Sequence, residues 1–419
     1  MVSILDCLLR SAALTSSHDG LNRKQTRDSL SIVGRIIGLA PLVLLITSLA
    51  PAFAQNAQKA EFRFINVADT TQGFSSFATF PAINNHGAVA FEAMGTGFAD
   101  GVFKWQDDRL TPIATTASNG LTFFGIDPVI NSEGVVAYEA NLTPITRGIF
   151  TSDGIHTKTV LNSTNAGIIG RFLSSISINR EGAVAFLGVR AAAGFPQAIF
   201  VGNGGPLTIA ADTLNSNFTA FQNAAINASG EVTFVAFSTD GSSGLFVERP
   251  QRDENGATQS GNTFGEPIDL VDTNDPDFLG FGDPVINKFG TVADFAIRSD
   301  LSTEIISANS HGVTARTNIL NPPFSSTEHP SINDADAVAF SAIRADGSQV
   351  IFLEMSGGDS LIPVIQTGDA LFGSTVTSVD LGRFALNDSF QLAFEYVLQN
   401  GQTGVAVASL RREEYKDAQ

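Results

Sequence analysis

The sequence predicts an all-β chain, a seven-bladed β-propeller of about four antiparallel strands per blade, closed by its N-terminal strand. Three observations predict it. A turn-forming motif, apolar-Asn-x-x-Gly, recurs along the chain at blade-sized intervals. Each copy is followed by a strand that is apolar on both faces. The repeat region also opens on a segment that reads as the last strand of a period, "EFRFINVADTT" at 61–71, and ends on a third strand, "TGVAVASL" at 403–410.

The motif Asn sets the register. It falls at Asn84, Asn131, Asn179, Asn227, Asn287, Asn333 and Asn387, with spacings of 47, 48, 48, 60, 46 and 54. An Ile or Leu precedes every copy. Three residues later stand Gly87, Gly134, Gly182, Gly230 and Gly290, then Asp336 and Phe390. Asn suits the first position of a type I turn, where its side chain can bond the backbone ahead. Gly three residues on can take the left-handed conformation that closes a short hairpin. Asp336 tolerates that conformation; Phe390 does so at a cost, so the seventh turn is expected to differ in shape.

The strand after the turn alternates. Val89, Val136, Val184, Val232, Val292 and Val338 share a face with the residue two further on. That residue is aromatic at Phe91, Tyr138, Phe186, Phe234, Phe340 and Phe394, and Asp294 in the fifth copy. Ala90, Ala137, Ala185, Ala293, Ala339 and Ala393 take the opposite face. Such a strand is buried on both sides, and its small face lets a neighbouring sheet approach. Nineteen residues after most motif Asn residues a third strand carries Phe103, Phe150, Phe246, Ile306, Phe352 or Ala406; in the third copy Phe200 comes two later. A fourth strand completes the period. A parallel solenoid is the rival architecture, but its coils lack hairpin turns. The fourth period is lengthened by a polar, Gly-rich segment, 249–265, expected to be an exposed hairpin loop.

Ahead of the repeats, Arg23, Lys24, Arg27 and Arg35 precede an apolar run, 36–50, and then "PAFAQ". Ala52 and Ala54 have the spacing of a signal-peptidase site, so residues 1–54 read as a signal peptide cleaved after Ala54. Residues 55–60 form a short linker, 61–410 the propeller and 411–419 a polar tail. The run is too short to span a bilayer, and no later stretch is apolar enough. The expected address is periplasmic or extracellular. The single cysteine, Cys7, lies in the leader, so the mature chain has no disulfide and depends on core burial. Removing the leader's five basic and three acidic residues leaves 19 basic against 39 acidic, a net charge of −20. That argues against nucleic acid and anionic membrane as partners, since both need a positive face. It reads as a soluble acidic surface, with cation binding as the sharper alternative.

The motif resembles the NxxGxxxAF tandem repeat of bacterial secreted proteins, a family described by its varied C-terminal sorting anchors. The resemblance covers nearly all of the mature chain. It implies secretion and supplies no catalytic residues. The chain departs from that pattern in showing no recognisable anchor, which favours a free form.

No HExxH, GxSxG or phosphate-binding loop occurs. The histidines His86, His156, His311 and His329 lack ligand spacing, and no cofactor or metal is implied. One ring of positions is polar and differs between copies. Four residues before each motif Asn stand Phe80, Asp127, Ser175, Asn223, Asp283, His329 and Arg383. The residues two before it are small, and period-2 alternation puts both sets on one face. If this strand is innermost, Asp127, Asp283, His329 and Arg383 form a ligand site at the mouth of the central channel. The bland alternative makes them turn and strand-start residues. The expected function is a secreted, monomeric, non-enzymatic binding or scaffold module whose ligand is a glycan or a protein. The alternative is a polysaccharide hydrolase or lyase using acidic residues at the channel mouth.

Overall fold

The computed structural model describes residues 62–411 except 78–79, 97–98, 118–119, 126, 170–173, 252–263, 318–323 and 356–360. The leader, the linker, the tail beyond Arg411 and the middle of the 249–265 insertion lie outside the described residues. At the base of that insertion, Pro250 pairs with Phe264, and the Gly265 amide donates to the Arg249 carbonyl at 3.0 Å.

Seven small antiparallel sheets follow one another in chain order and form a seven-bladed β-propeller. Blade 1 runs from Phe74 to Thr115, blade 2 from Val129 to Asn162 and blade 3 from Ser174 to Asp212. Blade 4 runs from Phe218 to Asp272, blade 5 from Phe278 to Ala315 and blade 6 from Phe324 to Gln366. Blade 7 combines Ser374–Asp380, Gln391–Leu398 and Thr403–Leu410 with the N-terminal Phe62–Asp69. That last strand pairs antiparallel with Thr403–Leu410, from Phe62 opposite Leu410 to Asp69 opposite Gly404. From blade 1 to blade 6 the first strands of successive blades touch one another, so they are the innermost.

The repeat positions become cross-strand partners. Phe91 faces Phe103, Tyr138 faces Phe150, Phe186 faces Phe200, Phe234 faces Phe246 and Phe340 faces Phe352. Their rings stack with centroids 5.5–6.0 Å apart. Phe200, two residues late in the sequence, still meets Phe186, because the connecting loop absorbs the extra residues. Each seam between blades is then an Ala face against a Val/aromatic face. Ala88, Ala90 and Val102 of blade 1 pack on Val136, Tyr138 and Ala140 of blade 2. Ala393, Val405 and Val407 of blade 7 pack on Val89, Phe91 and Ala93 of blade 1, which closes the ring. Burial of this apolar surface is the main stabilising term, since the described residues contain no cysteine to cross-link.

The seven turns are alike. In every copy the motif Asn carbonyl accepts the amide three residues on at 3.0–3.1 Å. Its Oδ1 accepts the amide four residues on at 2.9–3.0 Å. The expectation of a different seventh turn is overturned: Phe390 adopts φ +58° and reproduces the geometry of Gly87 at +77°. Its ring is buried in the blade 6–7 core, so packing offsets the strain of the left-handed conformation.

The Asn side chain does more than close its own turn. Nδ2 of Asn84 donates to the Asn131 carbonyl at 2.9 Å, and Asn131 to Asn179 at 3.0 Å. Asn227 reaches Asn287 at 3.0 Å, Asn287 reaches Asn333 and Asn333 reaches Asn387 at 3.2 Å, and Asn387 returns to Asn84 at 2.9 Å. At the blade 3–4 seam Ser177 Oγ accepts from the Ile226 amide at 3.0 Å. A buried belt of side-chain amides thus links the turns around the axis.

Candidate functional site

Below this belt the innermost strands break register. In blade 4 the ladder skips from Phe221 to Ala224, and in blade 6 from Glu328 to Ser331. In blades 1 and 5 the first strand is split, Phe74–Phe77 from Ala82–Ile83 and Phe278–Phe281 from Val285–Ile286. Blade 7 has the largest interruption, between Asp380 opposite Glu395 and Leu386 opposite Leu392. These bulges re-aim side chains, and they hold the ring of positions four before the motif Asn. Alternation therefore does not run through them. The small residues two before the Asn do not line an open channel: Ala82, Val129, Ser177, Ala225, Val285, Ser331 and Ala385 are all at most 2% exposed.

All four residues singled out in the sequence come together. Asp127 Oδ1 accepts the Phe80 amide at 3.1 Å. The Phe80 ring lies 4.8 Å from that of His329. His329 Nδ1 is 3.5 Å from Asp283 Oδ2, and Asn223 Nδ2 donates to Asp283 Oδ1. Arg383, from blade 7, donates to the carbonyls of Ala224 in blade 4 and Pro284 in blade 5. These blades are not neighbours of blade 7, so the guanidinium reaches across the axis. Phe384 beside it packs against the cores of blades 1–2, 2–3 and 5–6. The blade 7 bulge thus fills the centre of the ring. What is left between Phe80, Asp127, Ile176 and Arg383 is a cavity of about 30 Å³, room for a water or two.

The charges are unequal. Burial pushes Asp127 up to about 6, opposed by the Phe80 amide, His329 and Arg383. Burial also opposes ionisation of Asp283, but His329, Arg383 and Asn223 outweigh it and hold that carboxyl below its ordinary value. His329 is raised: burial works against its charge, and Asp283, Asp380 and Glu328 prevail. The pattern matches two carboxyls set apart for acid and base roles, but the groups are satisfied by one another around one small cavity.

Further members were not anticipated. Asp294, which replaces the motif aromatic in blade 5, is fully buried and lies 3.2 Å from the Gly282 amide. Burial, then Asp283, push it far above the usual carboxylate range. The break in the aromatic pattern was the available signal. Glu92, Glu139 and Glu395 occupy one repeat position, the eighth after the motif Asn, in blades 1, 2 and 7. Burial lifts Glu92 to about 7 and Glu395 to about 8, with Asp127 adding to both. Among the described residues no three His, Cys, Asp or Glu side chains converge as metal ligands. Asp69, Asp212 and Asp272 instead accept backbone amides two residues ahead, in ordinary turns.

Residues 63–211, the closing strand through blade 3, match the model of a family of unknown function, DUF7453. No curated protein matches the sequence. Among solved structures, the chain is similar to the apo form of prolyl oligopeptidase B from Galerina marginata. That match has a TM-score of 0.52 and 10% identity, over 82% of this chain and 50% of that one. A prolyl endopeptidase described for its inter-domain dynamics matches with a TM-score of 0.51 and 10% identity, over 81% and 50%. The chain spans about half the length of these enzymes. At such identity the likeness speaks for the fold alone. Among the described residues no helix is long and apolar enough to cross a membrane.

Proposed function

We propose that this chain is an exported, non-enzymatic propeller that binds a ligand at the cell envelope or outside the cell. One observation carries the reading: the axial cluster is occupied by Arg383 and Phe384, and its cavity of about 30 Å³ has no room for a sugar ring or a peptide. An enzyme of this shape needs its carboxyls at an open pocket. The leader and the resemblance to the secreted NxxGxxxAF repeat proteins support export.

The test incubates the purified full chain with a panel of polysaccharides and peptides, following retention and the release of reducing ends or amines. Binding without turnover is expected. Turnover that disappears in Asp127→Asn or Asp283→Asn overturns the reading and restores the hydrolase or lyase. Cell fractionation with N-terminal sequencing tests export; a cytoplasmic product that keeps residues 1–54 sinks that part.

A further inference from the structure

The seams between blades offer an internal control. In blades 2, 6 and 7 the residues eight and sixteen after the motif Asn lie diagonally across adjacent strands of one blade. In blade 2 they are Glu139 and Arg147, whose Nη1 lies 3.1 Å from Glu139 Oε1. In blade 6 they are Ser341 and Gln349. Gln349 Oε1 accepts from Ser378 Oγ at 2.7 Å, and only about 20 Å³ is left there. In blade 7 they are Glu395 and Thr403, in the same register as blade 2: Glu395 faces Val405 as Glu139 faces Ile149.

Blade 7 therefore has the carboxyl of blade 2 without its cation. Where Arg147 or Gln349 would lie there is a cavity of about 240 Å³ between blades 7 and 1, lined by Glu395, Asp380, Thr403, Ser76 and Phe77. Glu395 Oε1 is shut off from solvent and has no hydrogen-bond partner among the described residues; Glu139 Oε1 and Glu92 Oε2 likewise lack a hydrogen bond, but Glu139 Oε1 has the Arg147 guanidinium beside it. Asp380 stands directly opposite Glu395 on the adjacent strand, a like-charge pair that is unfavourable when both are ionised; His329 offsets the charge of Asp380, whereas no cation acts on Glu395. Ser75 and Val397 at the rim are exposed, so the cavity has an entrance. The contrast appears in the charges too. Arg147 counteracts the rise that burial causes in Glu139, whereas Glu395 is lifted to about 8 by burial and then by Asp127 and Asp380.

We propose that the seam between blades 7 and 1 binds a guanidinium or primary ammonium group, which takes against Glu395 the place that Arg147 takes against Glu139. The cation comes from a small free molecule or from a basic side chain of a peptide. The chain's net charge of −18 favours the approach of either. This rests on the reading of the chain as a binding module and names its ligand class.

The experiment is calorimetric titration of the full chain with N-acetyl-arginine amide, its neutral isostere N-acetyl-citrulline amide, and agmatine. The arginine compound is expected to bind at least tenfold more tightly than the citrulline compound. Agmatine binding more tightly than the amide marks a free small cation; the reverse marks a peptide side chain. Glu395→Gln, which keeps the shape, should weaken binding at least tenfold. Thr403→Arg should supply the missing guanidinium in cis, abolish binding and keep or raise the melting temperature. Equal affinity for citrulline, unchanged binding by Thr403→Arg, or displacement of the probe by calcium at lower concentration overturns the proposal. If the chain retains a polysaccharide or peptide from the panel above while neither the arginine compound nor agmatine binds, the binding-module reading survives and this site falls.

Discussion

The seven motif turns and the axial bulges lie a few residues apart on the same strands, yet they are built on opposite rules. The turns use one side chain in one geometry seven times, and in six of them the Asn amide also donates to the next blade. The bulges use six residue types over seven blades, crowd carboxyls together and rely on a single arginine from blade 7. Repetition suits the turns because each seam poses the same problem. The axis is shared by all blades, so one residue can serve it, and identical carboxyls or arginines there would repel.

The largest expected effect separates the two levels by pH. Glu92, Asp127 and Glu395 are raised to about 7, 6 and 8, each chiefly by burial. A carboxyl raised in the folded state contributes fully below its unfolded value near 4, and that contribution is lost as pH rises through the folded value. Stability should therefore be highest near pH 5 and fall steadily to pH 9. Thermal melts across that range, at constant ionic strength, check this. A flat profile would mean these groups are hydrated in solution.

Next comes Arg383→Met. It leaves Asp127, Asp283 and Asp294 without their common cation, and should cost about 3–5 kcal/mol in urea unfolding at pH 7. The loss should shrink at pH 5, where Asp127 gains its proton. In the turn belt, Asn333→Ala removes both the local and the inter-blade bonds and should cost about 2–3 kcal/mol. Asn333→Asp keeps the acceptor but loses the donor to Asn387, and should cost about 1–2 kcal/mol. Equal losses for the two would show that the inter-blade link contributes nothing. Of similar size is Phe390→Gly. It relieves about 1 kcal/mol of left-handed strain and forfeits about 3 kcal/mol of buried ring, a net loss of about 2 kcal/mol or less. A gain in stability would show that the ring is poorly packed.

Much of this was legible in the residues. Asn-x-x-Gly marks its turn because the conformational demand is local. The Val and aromatic positions mark a doubly buried strand because side chains alternate with period 2. Asp127, Asp283, His329 and Arg383 were marked by disagreement between copies, and they do meet. Their alternation with the small residues two further on failed, because bulges interrupt the strand. The pairing of Asn84 with Asn131, the reach of Arg383 to blades 4 and 5, and the burial of Asp294 were not legible. Each depends on the distance between segments tens to more than a hundred residues apart.

The sequence by itself determined the repeat unit, the number of units and the strand that closes them, since these follow from local turn chemistry and periodicity. Only the tertiary structure decided what occupies the axis and which seam stays open. Both depend on which side chain arrives from another blade: Arg383 fills the centre, Arg147 answers Glu139, and Thr403 is too short to answer Glu395. Identical local patterns allow all of these outcomes, and closing the ring selects among them.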